Sequence, residues 1–259
     1  MLRTRLWTAI VVLPAVLAAT IFLPNDGFSV FIAIVGAWGL YEVAAMTSTS
    51  ATAILAILVA GAAPLVLLLM LGDVAGWPLP AAVILNMLLL VSLVAVGGGA
   101  PGGTSLIISG ALWVGVLFPY LAMLRNLPGG VAGIILMLLV VVASDSGAYF
   151  GGRMFGRIKL APRVSPNKTV EGAISGLAAS VAAGLILRTL LTPQWSVGTT
   201  AAISAAIAVL AQLGDLAGSS FKRVARVKDS GWIFPGHGGL LDRTCSLVFA
   251  AVFTYYCLR

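Results

Sequence analysis

Between Ser219 and Arg243 the chain gathers Ser219, Lys222, Arg223, Lys228, Asp229, His237, Gly238, Gly239, Asp242 and Arg243. The surroundings are apolar and almost free of charge. If the helix before this stretch continues, Asp215, Ser219 and Lys222 fall at i, i+4 and i+7, on one face. Asp215, Asp229 and Asp242, set among many cations, fit a magnesium site that holds a nucleoside triphosphate through its phosphates. Asp215 and Asp242 are the expected metal ligands; helix capping and ion pairing with Lys222 or Arg243 are the structural alternative for each. His237 is the only histidine. Glycines and Pro235 around it put it on a tight turn, as a phosphate contact or as a hinge. A histidine-based metal site is disfavoured, because no second His or suitable Cys pair accompanies it.

A second constellation starts at Ser144-Asp145-Ser146-Gly147-Ala148-Tyr149, where an apolar run ends in a carboxylate. An acid there is costly in lipid and marks a functional position; the alternative is a residue already out in the headgroup water. Arg153, Arg157, Lys159 and Arg163 follow, then Ser165-Pro166-Asn167-Lys168-Thr169-Val170-Glu171-Gly172. Lysine with small hydroxyl residues suits phosphate oxygens, and Lys168 stands next to a helix start, which also attracts anions. The order of a P-loop is absent. Ser165 and Lys168 have the spacing of a serine–lysine nucleophile pair, a short and common pattern. The arginines serve equally well as topology determinants facing anionic lipid.

These residues must be positioned by a greasy scaffold. The chain of 259 residues is 60% hydrophobic and 9% charged, against roughly 25% charged in soluble domains. That predicts an all-α polytopic membrane protein. The net charge of +7 is explained first by Lys and Arg in cytoplasmic loops, so no nucleic acid is expected as a partner. Cys245 and Cys257 near opposite ends of one helix would lie about 18 Å apart, beyond disulfide reach.

Apolar runs predict about nine transmembrane helices: Met1 to Pro24, Phe28 to Met46, Ala51 to Leu71, Leu79 to Val96, Ser105 to Leu124, Gly130 to Tyr149, Glu171 to Leu191, Val197 to Leu216 and Thr244 to Leu258. The first has Arg3, Arg5 and Pro14 and reads as an uncleaved helix with a cytoplasmic N-terminus. The Gly97 to Gly103 stretch is an unambiguous break, and Gly151 to Lys168 reads as a basic loop. With this count both basic segments lie on the cytoplasmic face, while Arg125, Arg188 and Arg259 lie outside. Residues 1–128 are then a lipid-facing scaffold and residues 129–259 the catalytic region of a single membrane domain.

Ser220 with Lys228-Asp229-x-Gly231, Pro235-Gly236-His237-Gly238-Gly239 and Leu241-Asp242-Arg243 together resemble the signature of the phosphatidate cytidylyltransferases, or CDP-diacylglycerol synthases. Gly214-Asp215-Leu216, Phe221-Lys222-Arg223, the Ser165 to Gly172 segment and Asp145-x-x-Ala148-Tyr149-x-x-Gly152-Arg153 are similar too. The resemblance is dense from Asp145 to Ser246 and only hydropathic before it. It implies a multispanning enzyme, magnesium-dependent and often dimeric. Such an enzyme transfers CMP from CTP to phosphatidate at the cytoplasmic side of the bacterial-type inner membrane and releases pyrophosphate. Asp215, Asp242, Lys222, Arg223, Lys228, Asp229 and His237 would then be catalytic. Asp145, Ser165, Asn167, Lys168, Glu171, Ser219, Gly238, Gly239 and Arg243 would bind substrate. The family pattern ends Asp-Arg-x-Asp, whereas this chain reads Asp242-Arg243-Thr244-Cys245. Cysteine is a poor ligand for magnesium, so either this last acid is dispensable or the chain is a weakened or diverged member; the first is expected, because every other polar element remains. Two alternatives are nucleotidyl transfer to another lipid phosphate and, in a different class, transport of an anionic solute. A transporter would place its charges near the bilayer midplane, not at one end.

Overall fold

The structure is a computed structural model and describes residues 2–47, 51–72, 76–96, 103–233 and 238–259. The glycine-rich break at 97–102 and His237 with Pro235 and Gly236 lie outside the described residues. Among the described residues are ten helices and one two-stranded hairpin. The first half holds α1 (Leu2–Phe22), α2 (Asn25–Thr47), α3 (Ala51–Leu71), α4 (Pro78–Val96), α5 (Gly103–Leu117) and α6 (Pro119–Asn126). The second holds α7 (Gly130–Phe155), β1 (Lys159–Ala161), β2 (Ser165–Thr169), α8 (Val170–Leu191), α9 (Val197–Val224) and α10 (Leu241–Leu258). The protein is an all-α membrane protein; five stretches are long and apolar enough to cross a bilayer: Asn25–Thr47, Ser105–Asn126, Gly130–Phe155, Val170–Leu191 and Val197–Val224.

The helices follow the apolar runs because a backbone in lipid must satisfy its own hydrogen bonds. Three departures have physical causes. The fifth run is one stretch in sequence but breaks at Phe118, since Pro119 has no N–H and its ring clashes with the preceding turn. The stretch expected as a basic loop from Gly151 to Lys168 is instead the last turn of α7 followed by an antiparallel hairpin, paired Lys159 to Thr169 and Ala161 to Ser165. Helix α9 does not stop near Leu216 but runs to Val224, carrying Lys222 and Arg223 in its last turn, where cations complement the helix dipole.

Packing sets where the site can form. Helix α7 lies along α8, α8 along α9, and α9 along α10, while α2, α3 and α5 pack together. Small residues allow the close approach, as expected where lipid gives helices no hydrophobic reason to associate. A methyl group added at Gly147 of α7 would come within 2.6 Å of the Ala179 Cβ of α8. Trp113, Phe118, Tyr120, Phe221 and Phe249 are fully buried between the two halves. The exterior shows Ile34, Leu55, Met70, Leu85, Ile174, Ile186 and Leu190, which suits a hydrocarbon surround rather than water.

Among the described side chains of the first half, two charges are buried. Arg125, 8% exposed, donates from Nε to the Thr20 carbonyl at 3.0 Å and from its two terminal nitrogens to the Asn25 side chain and the Leu23 carbonyl. Its guanidinium also stands over the Phe28 ring, 5.3 Å from the centroid. It is therefore a clamp on the α1–α2 junction, not a free loop charge. Glu42 on α2 is the other, 2% exposed.

Candidate active site

The site is built where the C-terminal end of α9, the N-terminal end of α10 and the hairpin after α7 converge. The expected single helical face on α9 exists, with Asp215, Ser219 and Lys222 within Val197–Val224. Lys168, at the end of β2, reaches Asp215 Oδ2 at 2.6 Å. Lys222 pairs with Asp242 Oδ1 across from α9 to α10. Arg223 donates from Nε to the carbonyl of the buried Val164 at 3.3 Å, fastening the hairpin to α9. The two constellations separated by some fifty residues in sequence thus form one mouth.

Asp242 is its best-held member. Oδ2 accepts from the Ser230 amide at 2.8 Å, the Ser230 hydroxyl at 3.0 Å and the Gly239 amide at 2.9 Å. Burial works to raise the Asp242 carboxyl, but Lys222 and the Ser230 and Gly239 amides outweigh it and hold it below the ordinary carboxylate range. It stays ionised at neutral pH. Gly238 adopts φ 81°, the left-handed region where glycine carries no steric penalty, and this turn aims the Gly239 amide at Asp242.

Other predicted residues divide by what holds them. Asp145 lies within electrostatic reach of Asp215, Lys168 and Arg243, which draws the end of α7 into the same mouth. Arg223, Lys228, Asp229, Asn167 and Arg243 are exposed and Ser165 and Ser219 half-buried. Glu171 spends its carboxylate on the Ile158 amide, at 3.1 and 3.2 Å, so it closes the hairpin. Thr169 caps α8 by accepting from the Gly172 amide at 3.1 Å. Cys245 is buried, with a methyl group at Gly218 of α9 set to meet its Sγ at 3.2 Å.

Among the described residues no three His, Cys, Asp or Glu side chains converge as a metal cage. Magnesium does not require one, being usually held by one or two carboxylates plus substrate phosphates. Asp215 retains an oxygen outside its Lys168 pair, and Asp242 offers Oδ1, the oxygen that Lys222 neutralises. Two hard carboxylates fit that ion's chemistry provided Lys222 gives up Asp242 Oδ1 to it, which phosphate oxygens competing for the ammonium would allow.

The sequence reading passed over Glu42. Its carboxylate accepts from Trp38 Nε1 at 3.1 Å, the Ser230 hydroxyl at 2.8 Å, the Leu240 amide at 2.7 Å and the Leu241 amide at 3.0 Å. The available signal was an acid inside an apolar run, the same one that singled out Asp145.

Comparison with known proteins identifies the family. A model of the cytidylyltransferase family matches residues 3–259. The phosphatidate cytidylyltransferase of Brucella suis biovar 1 (strain 1330) is 38% identical over 98% of this chain and 92% of its own length. That of Bacillus subtilis (strain 168) is 40% identical over 57% of this chain and 55% of its own. That of Staphylococcus saprophyticus is 43% identical over 53% of this chain and 52% of its own. This chain belongs to the cytidylyltransferase family.

Proposed function

We propose that this membrane enzyme transfers CMP from CTP to phosphatidate, making CDP-diacylglycerol and pyrophosphate, and that the mouth around Asp242 is where it does so. The observation that carries the assignment is the pairing of Lys168 with Asp215 and of Lys222 with Asp242 at one end of the bundle. It is supported by the family match and by the names of the relatives.

The chemistry asks little of a base. An anionic oxygen of the lipid phosphate attacks the α-phosphorus of CTP, a bond forms there, and the bond to the α–β bridging oxygen breaks as pyrophosphate leaves. Catalysis then rests on holding two polyanions together and neutralising charge on the reacting phosphorus and the leaving group. Lys168 and Lys222 are half-buried cations whose partners are single carboxylates, so phosphate oxygens can compete for them. Arg223, Lys228 and Arg243 are exposed at the rim, suited to the triphosphate. Magnesium, held by Asp215 and Asp242, would supply charge neutralisation at the phosphates. His237 is assigned to the same loop as a phosphate contact.

The topology belongs to the same proposal: about nine spans, a cytoplasmic N-terminus, and a mouth opening to the cytoplasm of a bacterial-type inner membrane, where CTP is found. Residues 129–259 carry the mouth and residues 1–128 the scaffold. The test is incorporation of α-labelled CTP into lipid by purified protein in mixed micelles with phosphatidate. Label should enter lipid with magnesium and disappear with chelator. Asp242→Asn should lower the rate by at least about 100-fold, the scale for losing a preorganised electrostatic group. No lipid label under these conditions would sink the assignment.

A further inference from the structure

Glu42 belongs to the half of the chain expected to be scaffold, yet both its oxygens are committed to the mouth. Oε1 accepts from Trp38 Nε1 and the Leu240 amide, and Oε2 from the Ser230 hydroxyl and the Leu241 amide. Helix α10 has no side-chain cap of its own at Leu240. The orphan amides of a helix start need acceptors, and here a carboxylate from α2, 198 residues earlier in sequence, supplies them.

Ser230 links this carboxylate to the reaction centre. Its hydroxyl is 2.8 Å from Glu42 Oε2 and 3.0 Å from Asp242 Oδ2, and its amide donates to the same Asp242 oxygen. One hydroxyl proton serves one carboxylate at a time, so the two acids are coupled through it. The glycines of the loop report the same contact independently. A methyl group at Gly231 would lie 2.6 Å from Glu42 Oε1, and one at Gly239 would lie 2.5 Å from Oε2. At Gly231 the Glu42 side chain alone fills the space a methyl would need, and at Gly239 it does so together with the Ser230 hydroxyl and the Gly231 amide.

We infer that Glu42 is a positioning residue for nucleotidyl transfer: it sets the 230–231 and 239–241 backbone so that Asp242 keeps the orientation in which it meets Lys222. This rests on the assignment of Asp242 to the reaction centre. A misplacement of about 1 Å in such a constellation costs on the order of 100-fold in rate.

The experiment compares kcat, KM for phosphatidate and folded fraction for wild type, Glu42→Gln, Ser230→Ala, the double variant and Asp242→Asn, with folding read by size-exclusion chromatography and thermal melting. Glu42→Gln should lower kcat per folded molecule by about tenfold to 100-fold and leave KM for phosphatidate within about twofold. Ser230→Ala should lower kcat in the same sense, and the double variant should lose no more than the worse single one, because both act on one link. Gly231→Ala, which displaces Glu42 without removing it, should reproduce the kcat loss. If Glu42→Gln does not accumulate as folded protein, Ser230→Ala and Gly231→Ala carry the test. A kcat per folded molecule within about twofold of wild type in these variants, or losses that multiply in the double variant, overturns the inference. An inactive Asp242→Asn beside undiminished Glu42 variants removes this inference alone. A fully active Asp242→Asn removes the site assignment itself, and the positioning role with it.

Discussion

Two ends of the bundle hold charge in opposite ways. At one, Arg125 is buried among the carbonyls of Thr20 and Leu23, the Asn25 side chain and the Phe28 ring. At the other, Lys168 and Lys222 each face one carboxylate in a half-open mouth. A methyl group at Gly133 would meet both Leu124 and Leu258, so Arg125 sits near the C-terminal end of α10 while Asp242 sits at its start. The Arg125 clamp is saturated, with partners that are neutral and fixed in the backbone. The ammonium groups of the mouth have ionic partners that a triphosphate can replace. Placing a charge in lipid is costly at either end, but only the second arrangement leaves it exchangeable.

That contrast can be broken or sharpened by substitution. Removing the acid that faces Lys168 comes first: Asp215→Asn should cost about 100-fold in kcat with little change in melting temperature, since Asp215 is partly exposed. A large loss of folded protein with unchanged turnover would make Asp215 a structural residue like Arg125. Cys245→Asp should next restore the acid the family pattern has there. It should hold or raise turnover with magnesium, while lowering the melting temperature in chelator, because a carboxylate buried there is repelled by Asp215 and Asp242. A collapse of activity in magnesium would show that the cysteine is required. Arg223→Gln should do least, lowering kcat/KM for CTP by at most about fivefold, the scale of a rim charge contact; an effect as large as that of Asp215→Asn would place Arg223 on the reacting phosphates.

Much of this was legible in the sequence, for reasons that differ by region. Span limits followed from apolar runs ended by Pro78, Pro128 and the glycine pairs, because lipid enforces regular backbone. The juxtaposition of Lys168 with Asp215 was anticipated only as two basic segments on one face; the pairing itself depends on the hairpin. That hairpin was hidden because Lys159 to Thr169 is polar and interrupted by Pro162 and Pro166, with no alternation to betray a strand. The break at Pro119 was hidden by an unbroken apolar run. Glu42 escaped because its partners, Ser230, Leu240 and Leu241, are distant in sequence and three of its four donors are backbone or serine groups that carry no charge signal.

The same residues explain why the first half is more than a hydrophobic frame. Trp113 of α5 packs against Phe221 of α9, with ring centroids 5.8 Å apart, one residue before Lys222. Leu241 of α10 lies against Gly39 of α2, where an added methyl would meet its Cδ2 at 3.4 Å. The helices of residues 1–128 thus fix the heights of the two helix ends that carry Lys222 and Asp242.

On the proposed function, like charges are structural at one end of the bundle and catalytic at the other. Parallel measurement of melting temperature and of kcat per folded molecule for Arg125→Gln and Lys222→Gln tests it most directly. Arg125→Gln leaves buried carbonyls unsatisfied, at about 1 to 3 kcal/mol each; it should lower the melting temperature clearly and keep kcat within about twofold. Lys222→Gln should hold the melting temperature and lower kcat by about 100-fold. The reverse pattern, with Arg125→Gln inactive but stable and Lys222→Gln unstable but fully active when folded, would make Arg125 the catalytic charge and Lys222 the structural one.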